Sequence, residues 1–215
     1  KLAREKEVVG IYISGHPLDD FKYEMKYFCN ATLLNFSNLE ENINRELAFG
    51  GVITNVEHRT SKTGKGWATF TIEDYNTAYE FRIFGEDYLK HRPFLVKSTF
   101  VYAKAYIKEG WANKDTGKKG EPRIQFNSFQ LLHDVLENYA KKLTIQMDIN
   151  ELSDTRIDNL KALLTEHSGN HTLNFVIYEM AEQLKLHMPS RKQKINISPE
   201  LLEALENESV YYKLN

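Results

Sequence analysis

The chain has 215 residues, of which 41% are hydrophobic and 27% charged, with a formal net charge of −2. This composition is that of an ordinary folded protein long enough for two compact units, and it gives no indication of disorder. The sequence has no apolar run of about 18 residues and no signal-peptide pattern, and its single cysteine, Cys29, excludes an internal disulfide framework. We therefore expect a cytoplasmic protein with no membrane partner.

Residues 1–46 predict a helical lead-in. Glu5–Ile13 is partly amphipathic, Ser14–Leu18 is dense in turn-forming residues, and Phe21–Tyr27 has a helical pattern. Because the chain opens on Lys1 in what reads as the middle of a helix, we expect it to be a piece of a longer polypeptide.

The central region, residues 47–135, predicts an OB-fold, a five-stranded Greek-key barrel that commonly binds single-stranded nucleic acid. Five extended segments surround one short helix, and both main loops are basic and rich in glycine. The Gly50-Gly51 pair lies inside the first strand and is typical of a bulge or a strongly coiled strand. The predicted strands are 47–56, 67–73, 79–84, 99–108 and 123–129, and the helix is 85–92, stopped by Pro93.

Alternation along the second and third strands separates two faces. The large apolar side chains point into the predicted core, whereas Trp67 and Arg82 share the opposite, open face. Asp74–Thr77 supplies the turn between these strands, since Asp and Asn are common turn residues. The side chains expected in the core are Phe70, Ile72, Phe81 and Ile83.

Positive charge is concentrated in this central region. From Leu47 to His133 there are 13 Lys and Arg against 9 Asp and Glu, a net of +4, while the rest of the chain has a net of −6. A local basic surface is typical of nucleic-acid binding. The cations either neutralise phosphates or form a solvated surface. Trp67 either stacks on bases or caps the barrel rim, and the position of Trp111 in a loop with lysines favours stacking. The candidate DNA-binding residues are Arg59, Lys62, Lys65, Trp67, Arg82, Lys104, Lys108 and Trp111.

Residues 142–215 predict a small α+β tail domain with an acidic balance. A strand at Leu143–Met147 precedes a helix capped by Ser153, and a last helix opens at Ser198-Pro199. The first of these helices is expected to place Ile157, Leu160, Leu163 and Leu164 on one face. Further strands are expected at 172–178, 183–188 and 194–197.

The sequence predicts neither a catalytic residue nor a metal site. Thr63–Gly66 joins two strands, whereas a phosphate-binding P-loop lies between a strand and a helix. His167 and His171 lack the Cys-x-x-Cys partner of a zinc finger, and Asp19 and Asp20 are better explained by helix capping. No nucleophile-elbow motif occurs.

Several of these segments also carry a family resemblance. The Gly15–Leu18 signature, Gly-His-Pro-Leu, lies within Glu5–Asp19, and it is followed by Thr63–Gly66, Phe70–Asp74 and Glu80–Phe84 ahead of Tyr88. With these segments the sequence resembles the C-terminal part of the bacterial DNA polymerase III alpha subunit, a replicative polymerase. The likeness covers the chain to about residue 133, and beyond that it rests on the β-α-β layout of the tail. Thr77 departs from the family, which usually has glycine in that turn.

The resemblance implies a parent enzyme that adds deoxynucleotides to a primer with magnesium-bound carboxylates in a palm domain, and those carboxylates are not in this chain. This fragment would then be inactive alone and would need no cofactor. The resemblance also implies that the barrel binds single-stranded template DNA, that the tail docks the clamp-loader tau subunit, and that the remainder of the polymerase chain is a partner.

Two alternatives remain open. The fragment could be a protein-interaction scaffold that does not bind DNA, or a tRNA-binding OB module like those of aminoacyl-tRNA synthetases. The Gly-His-Pro-Leu signature argues against the second.

Overall fold

The structure, a computed structural model, describes residues 15–111 and 119–215. The helix expected at Glu5–Ile13 lies outside these residues. None of the helices in the described ranges is long and apolar enough to cross a membrane. The chain divides into two compact units: unit 1 ends at Val135, and unit 2 is Leu136–Asn215.

Unit 1 is built on a five-stranded antiparallel sheet with strand order β3-β2-β1-β4-β5. Its strands and helices, in chain order, are α1 (Lys22–Phe28), β1 (Glu46–Thr60), β2 (Gly66–Glu73), β3 (Ala78–Phe84), α2 (Gly85–His91), β4 (Phe100–Lys108) and β5 (Arg123–Leu131). A further short helix, α3 (Val135–Tyr139), contains the division between the units.

Strand β1 is long enough to belong to both halves of the sheet. Its first part pairs with β4 from Glu46 to Val52, and its second part pairs with β2 from Val52 to Thr60. The register shifts between Ile53 and Asn55, so the expected bulge is present, a few residues after the glycine pair. A Cβ on Gly51 would collide with the Ile72 side chain and the Glu73 carbonyl, which explains why glycine is needed there.

The sheet is open in the described strands. β3 and β5 are its two edges, and no backbone hydrogen-bonded pairing joins them. A closed barrel is therefore not confirmed, and the OB-fold stays a prediction.

The core of unit 1 lies on one face of this sheet. Phe70, Ile72, Phe81 and Ile83 are at most 2% exposed, which confirms their predicted inward direction. Rings from both edge strands meet in this core, since the Phe81 and Phe126 centroids are 5.5 Å apart.

The loop between β1 and β2 is shorter than predicted. Arg59 pairs with Trp67 and Thr60 with Gly66, so the residues from His58 to Thr60 are strand rather than loop. The connection is reduced to the β1–β2 turn, Ser61–Lys65. Polar, basic composition alone did not distinguish a solvent-facing strand end from a loop.

Asp74 joins the β2–β3 hairpin to the lead-in. Its Oδ1 accepts hydrogen bonds from the N–H groups of Asn76 and Thr77 at 2.8 and 2.9 Å, and its Oδ2 accepts one from Leu33 N–H at 2.8 Å. The side chain is buried. The predicted turn role is confirmed, and the bond to Leu33, distant in sequence, adds a tertiary link.

Unit 2 contains a four-stranded mixed sheet with strand order β8-β7-β6-β9. The crossover helix α4 joins the parallel pair β6 and β7, while β8 and β9 are antiparallel edge strands. Its elements are β6 (Lys142–Asp148), α4 (Asp154–Glu166), β7 (Ser168–Glu179), β8 (Leu184–Pro189), α5 (Pro199–Asn207) and β9 (Tyr211–Leu214).

The two predicted helix starts in unit 2 are confirmed. The Ser153 and Ser198 hydroxyls accept hydrogen bonds from backbone N–H groups in the first turns of α4 and α5. The strand expected at 194–197 is wrong, because Ile195 makes only isolated bridges to β7. Ile157 is also misplaced, since nearly half of it is exposed and it does not join the buried face of α4. Strand β9 was not predicted.

We predict that Asp74→Ala destabilises unit 1 by about 3 kcal/mol. Three backbone N–H donors lose their charged acceptor, and the buried Leu33 N–H is left without a hydrogen bond. Urea unfolding followed by circular dichroism measures the loss. Asp20→Ala, at an exposed aspartate of the same unit, is the control and should change stability by less than about 0.5 kcal/mol. Equal stability of the two variants would contradict this role.

The only cysteine is held as a protonated thiol. Burial, with the nearby carboxylates of Asp74 and Glu24, raises the pKa of Cys29 from 9.0 to about 12. The thiolate is the reactive form of cysteine, so the native side chain is a poor nucleophile.

We therefore predict slow labelling of Cys29 by iodoacetamide at pH 8. Since a three-unit rise in pKa lowers the thiolate fraction about 1000-fold, the native chain should react at least about 100-fold more slowly than the urea-unfolded chain. Mass spectrometry of timed samples measures both rates. Similar rates would show that the thiol is not protected.

Candidate nucleic-acid interface

The solvent side of β1, β2 and β3 presents rows of cross-strand neighbours. Alternation places Ala68 and Phe70 in the core and leaves Trp67 and Thr69 on the outer face of β2. The register defines the rows Arg59–Trp67–Phe84, Glu57–Thr69–Arg82 and Asn55–Thr71–Glu80.

The first row forms a flat aromatic surface with a cation beside it. The rings of Trp67 and Phe84 stack with centroids 5.4 Å apart and planes inclined by 18°. The Arg59 guanidinium lies 5.4 Å from the Trp67 ring centroid, within cation–π range. Phe84 is 57% exposed. We call these three residues the Trp67 platform.

The β1–β2 turn extends this platform at the end of the hairpin. Ser61 N–H donates to the Lys65 carbonyl at 2.9 Å, and Lys65 N–H donates to the Ser61 hydroxyl at 3.1 Å. Gly64 has φ +77°, a conformation that suits glycine. These bonds fix the turn and leave Lys62 and Lys65 exposed.

Arginines on this face make exposed ion pairs. Arg59 contacts Glu57, and Arg82 lies 3.7 Å from Glu80, on the same face as Trp67. All four side chains are about half exposed or more. Exposed ion pairs contribute about 0–1 kcal/mol, so either guanidinium could exchange its carboxylate for a phosphate at little cost.

The two candidate lysines of β4 lie away from this row. Lys104 is paired with Ala48, near the opposite end of β1 from Arg59, and is half-buried. Lys108 is exposed and pairs with Arg123 at the end of the β4–β5 hairpin. The eight candidates therefore do not form one row of neighbours.

Trp111 belongs to a second exposed cluster at that hairpin. It is 75% exposed, and the Arg123 guanidinium lies 4.2 Å from its ring centroid. Lys119 forms an ion pair with Glu109 at 2.8 Å. Lys114 and Lys118, also in this loop, lie outside the described residues.

Two contributors were not found from sequence. The sequence pattern identifies Phe84 as the end of β3, and continued alternation after Arg82 places it on the outer face with Trp67. The sequence pattern identifies Arg123 as the start of β5, and its contact with Trp111 depends on the folded hairpin.

No metal centre accompanies these clusters in the described ranges. They contain no group of three or more His, Cys, Asp or Glu side chains that could hold an ion. His171 has a structural contact, since its Nδ1 accepts a hydrogen bond from Ile197 N–H at 3.1 Å.

Unit 2 exposes apolar side chains along an edge strand. Leu184, Leu186 and Met188 of β8 are 40–58% exposed, and Met180 in the preceding turn is also exposed. Because β8 is an edge of the sheet, one side of its backbone has no neighbouring strand.

Comparison with known proteins gives one consistent result. Residues 143–215 match the family model for the DNA polymerase III alpha subunit, C-terminal domain. Curated relatives with the name DNA polymerase III subunit alpha include those of Bacillus subtilis, 25% identical over 85% of this chain, and Borreliella burgdorferi, 26% identical over 88%. That of Pseudomonas aeruginosa is 21% identical over 97%.

This chain spans only 15%, 16% and 17% of the length of these three relatives, respectively. The matches nevertheless extend through both units, and the family model covers nearly all of unit 2. The resemblance noted in the sequence is confirmed: residues 143–215 match the C-terminal domain of the DNA polymerase III alpha subunit, and the three relatives that match most of this chain carry that subunit's name.

Proposed function

We propose that this chain is a non-catalytic segment of a replicative DNA polymerase that binds single-stranded template DNA through unit 1 and docks the clamp-loader tau subunit through unit 2. The observation that carries the first part is the Trp67 platform, in which Trp67 stacks on the exposed Phe84 and lies within cation–π range of Arg59, with Lys62 and Lys65 exposed in the adjoining β1–β2 turn.

The strand arrangement of unit 1 supports an OB-fold as part of this proposal. β1 pairs with both β2 and β4, and α2 lies between β3 and β4, as the OB topology requires. The ring contact between Phe81 and Phe126 brings the two edge strands together through side chains. OB-folds bind oligonucleotides on the face of strands 2 and 3 and in the first and last hairpin loops. The Trp67 platform and the Trp111 loop occupy those positions.

The chemistry of the platform suits sequence-tolerant binding. A base stacked on an exposed aromatic ring contributes about 1–3 kcal/mol whatever its identity, because every base has a flat face. Lysines and arginines at the rim neutralise phosphates, which makes binding weaken as salt rises. This combination would guide a template strand without reading its sequence.

Nucleotide addition itself would belong to the rest of the parent polymerase. The relatives carry the name of a polymerase subunit, and this chain corresponds to about one-sixth of their length. We propose that the magnesium-bound carboxylates lie in that remainder, which would be a covalent partner of this segment, and that this segment needs no cofactor.

We predict that oligothymidine binds the chain with salt-dependent affinity and that Arg59→Ala/Lys62→Ala/Lys65→Ala weakens it at least 10-fold. Losing three phosphate contacts should lower the slope of log K against log salt by about 2, at about 0.7 per contact on a single strand. Fluorescence anisotropy over a salt series measures both quantities.

The matched control replaces three cations elsewhere, Lys90→Ala/Lys97→Ala/Arg92→Ala, which changes the net charge equally. It should leave the affinity within about threefold. Equal weakening by both triple variants would show that the effect comes from net charge alone. The absence of salt-sensitive binding at micromolar protein would refute the proposal. Tighter binding of folded tRNA than of oligothymidine would favour the tRNA module instead.

The exposed apolar side chains of β8 favour the docking part of the proposal. Leu184, Leu186 and Met188 lie on an edge strand and expose large apolar area to solvent, as protein-binding surfaces commonly do. The alternative of a protein-interaction scaffold would gain support from two results together: tau docking that survives the Arg59→Ala/Lys62→Ala/Lys65→Ala change, and no DNA binding by the parent chain.

We predict that Leu186→Asp lowers the affinity of purified tau subunit for this chain at least 10-fold, because a charge would be buried on docking. Surface plasmon resonance measures the dissociation constant, and circular dichroism checks folding. Ile157→Asp, at a half-exposed apolar residue of α4, is the control and should bind like the parent chain. Unchanged binding of Leu186→Asp would rule out β8 as the docking surface.

A further inference from the structure

The four-stranded sheet of unit 2 has one face that its helices leave uncovered. On β9, the Tyr212 hydroxyl donates to Glu206 Oε1 of α5 at 3.0 Å, so Tyr212 lies on the helix side. Its neighbours Tyr211 and Lys213 therefore lie on the other side, which we call the open face.

The same alternation holds on β6. Leu143 and Ile145 are fully buried on the helix side. Lys142, Thr144 and Gln146 alternate with them along the strand and therefore lie on the open face. Two rows of neighbours cross this face: Lys213–Thr144–Asn174–Pro189 and Tyr211–Gln146–Val176–His187.

All residues of these two rows except Tyr211 line a cleft of about 440 Å³, a size that suits a nucleotide. Tyr211 lies beside the cleft, as the cross-strand neighbour of its lining residue Gln146. The charged lining of the cleft consists of Lys142, Lys185 and Lys213, with His187 and without any Asp or Glu. Asp148 follows at the end of β6, where its Oδ1 accepts a hydrogen bond from Asn150 N–H at 2.9 Å.

The sign of this charge opposes that of the unit as a whole. From Leu136 to Asn215 there are 12 Asp and Glu against 9 Lys and Arg, a net of −3. Helix α5 alone carries three of these acids. A basic cleft in an acidic unit is a local feature that net charge does not explain, and it attracts anions.

Two further features favour a nucleic acid over a simple anion. Tyr211 is 69% exposed, so its ring is available for stacking. The Asn174 side-chain oxygen is buried with no hydrogen-bond partner in the described residues, and a nucleobase carries N–H donors that an inorganic anion lacks. Exposed rings and cations on a four-stranded sheet are also how RRM domains bind single strands.

We propose that the open face is a second binding surface for single-stranded nucleic acid, with a base stacked on Tyr211 and phosphates at Lys142 and Lys213. This surface is separate from the Trp67 platform, and neither depends on the other for its residues.

Photocrosslinking of the whole chain to oligothymidine that contains 5-iodouracil tests this site directly. Near-ultraviolet irradiation followed by peptide mapping identifies the crosslinked aromatic residue. We expect a crosslink at Tyr211, separate from any at Trp67. Tyr211→Ala should abolish it, whereas Tyr211→Phe, which keeps the ring, should preserve it.

Cation variants provide the second arm. Lys142→Ala/Lys213→Ala should reduce the Tyr211 crosslink at least fivefold, while Lys161→Ala/Lys192→Ala, an equal charge change outside the cleft, should reduce it less than twofold. Circular dichroism checks that both variants fold. Equal loss in both pairs would contradict a specific site.

The outcomes separate this inference from the proposed function. A Tyr211 crosslink that persists in the Arg59→Ala/Lys62→Ala/Lys65→Ala variant supports the open face whatever happens at Trp67. A crosslink at Trp67 without one at Tyr211 overturns the inference and leaves the proposed function intact. Complete competition by polyglutamate at equal charge concentration would also overturn it, since the face would then bind acidic polymers in general.

Discussion

The structure of unit 1 depends on one strand serving two neighbours. β1 pairs with β4 along its first part and with β2 along its second, so every other strand is positioned through it. Near the middle of β1, Gly51 allows the close approach of β2, and the register shifts just beyond it. Any side chain at Gly51 would collide with Ile72 and with the Glu73 carbonyl of β2.

That geometry also determines which polar residues become neighbours. The far end of β1 carries Arg59 to a position opposite Trp67, and β3 then adds Phe84 to the same row. Lys104, although it has the same chemistry, pairs near the other end of β1. A shared sheet therefore separates residues that composition alone would group together.

Both units place charge unevenly on their surfaces. Unit 1 places Arg59 beside the Trp67 ring and Arg123 beside the Trp111 ring, and unit 2 has a basic cleft on the open face despite an acidic balance. In each case alternation along strands assigns apolar side chains to the core and polar ones to the opposite face. Surface chemistry is thus a direct consequence of strand register.

The strand faces, the helix starts and the resemblance to the polymerase III alpha subunits follow from the sequence, because period-two alternation, Ser capping and the matched segments are local properties. Phe70, Ile83 and Ser153 behave as their patterns predict. The folded chain is needed to show that His58–Thr60 is strand, that Ile195 lies outside the strands, and that Arg123 contacts Trp111. These outcomes depend on which distant segment supplies the hydrogen-bond or ring partner, and no local pattern contains that information.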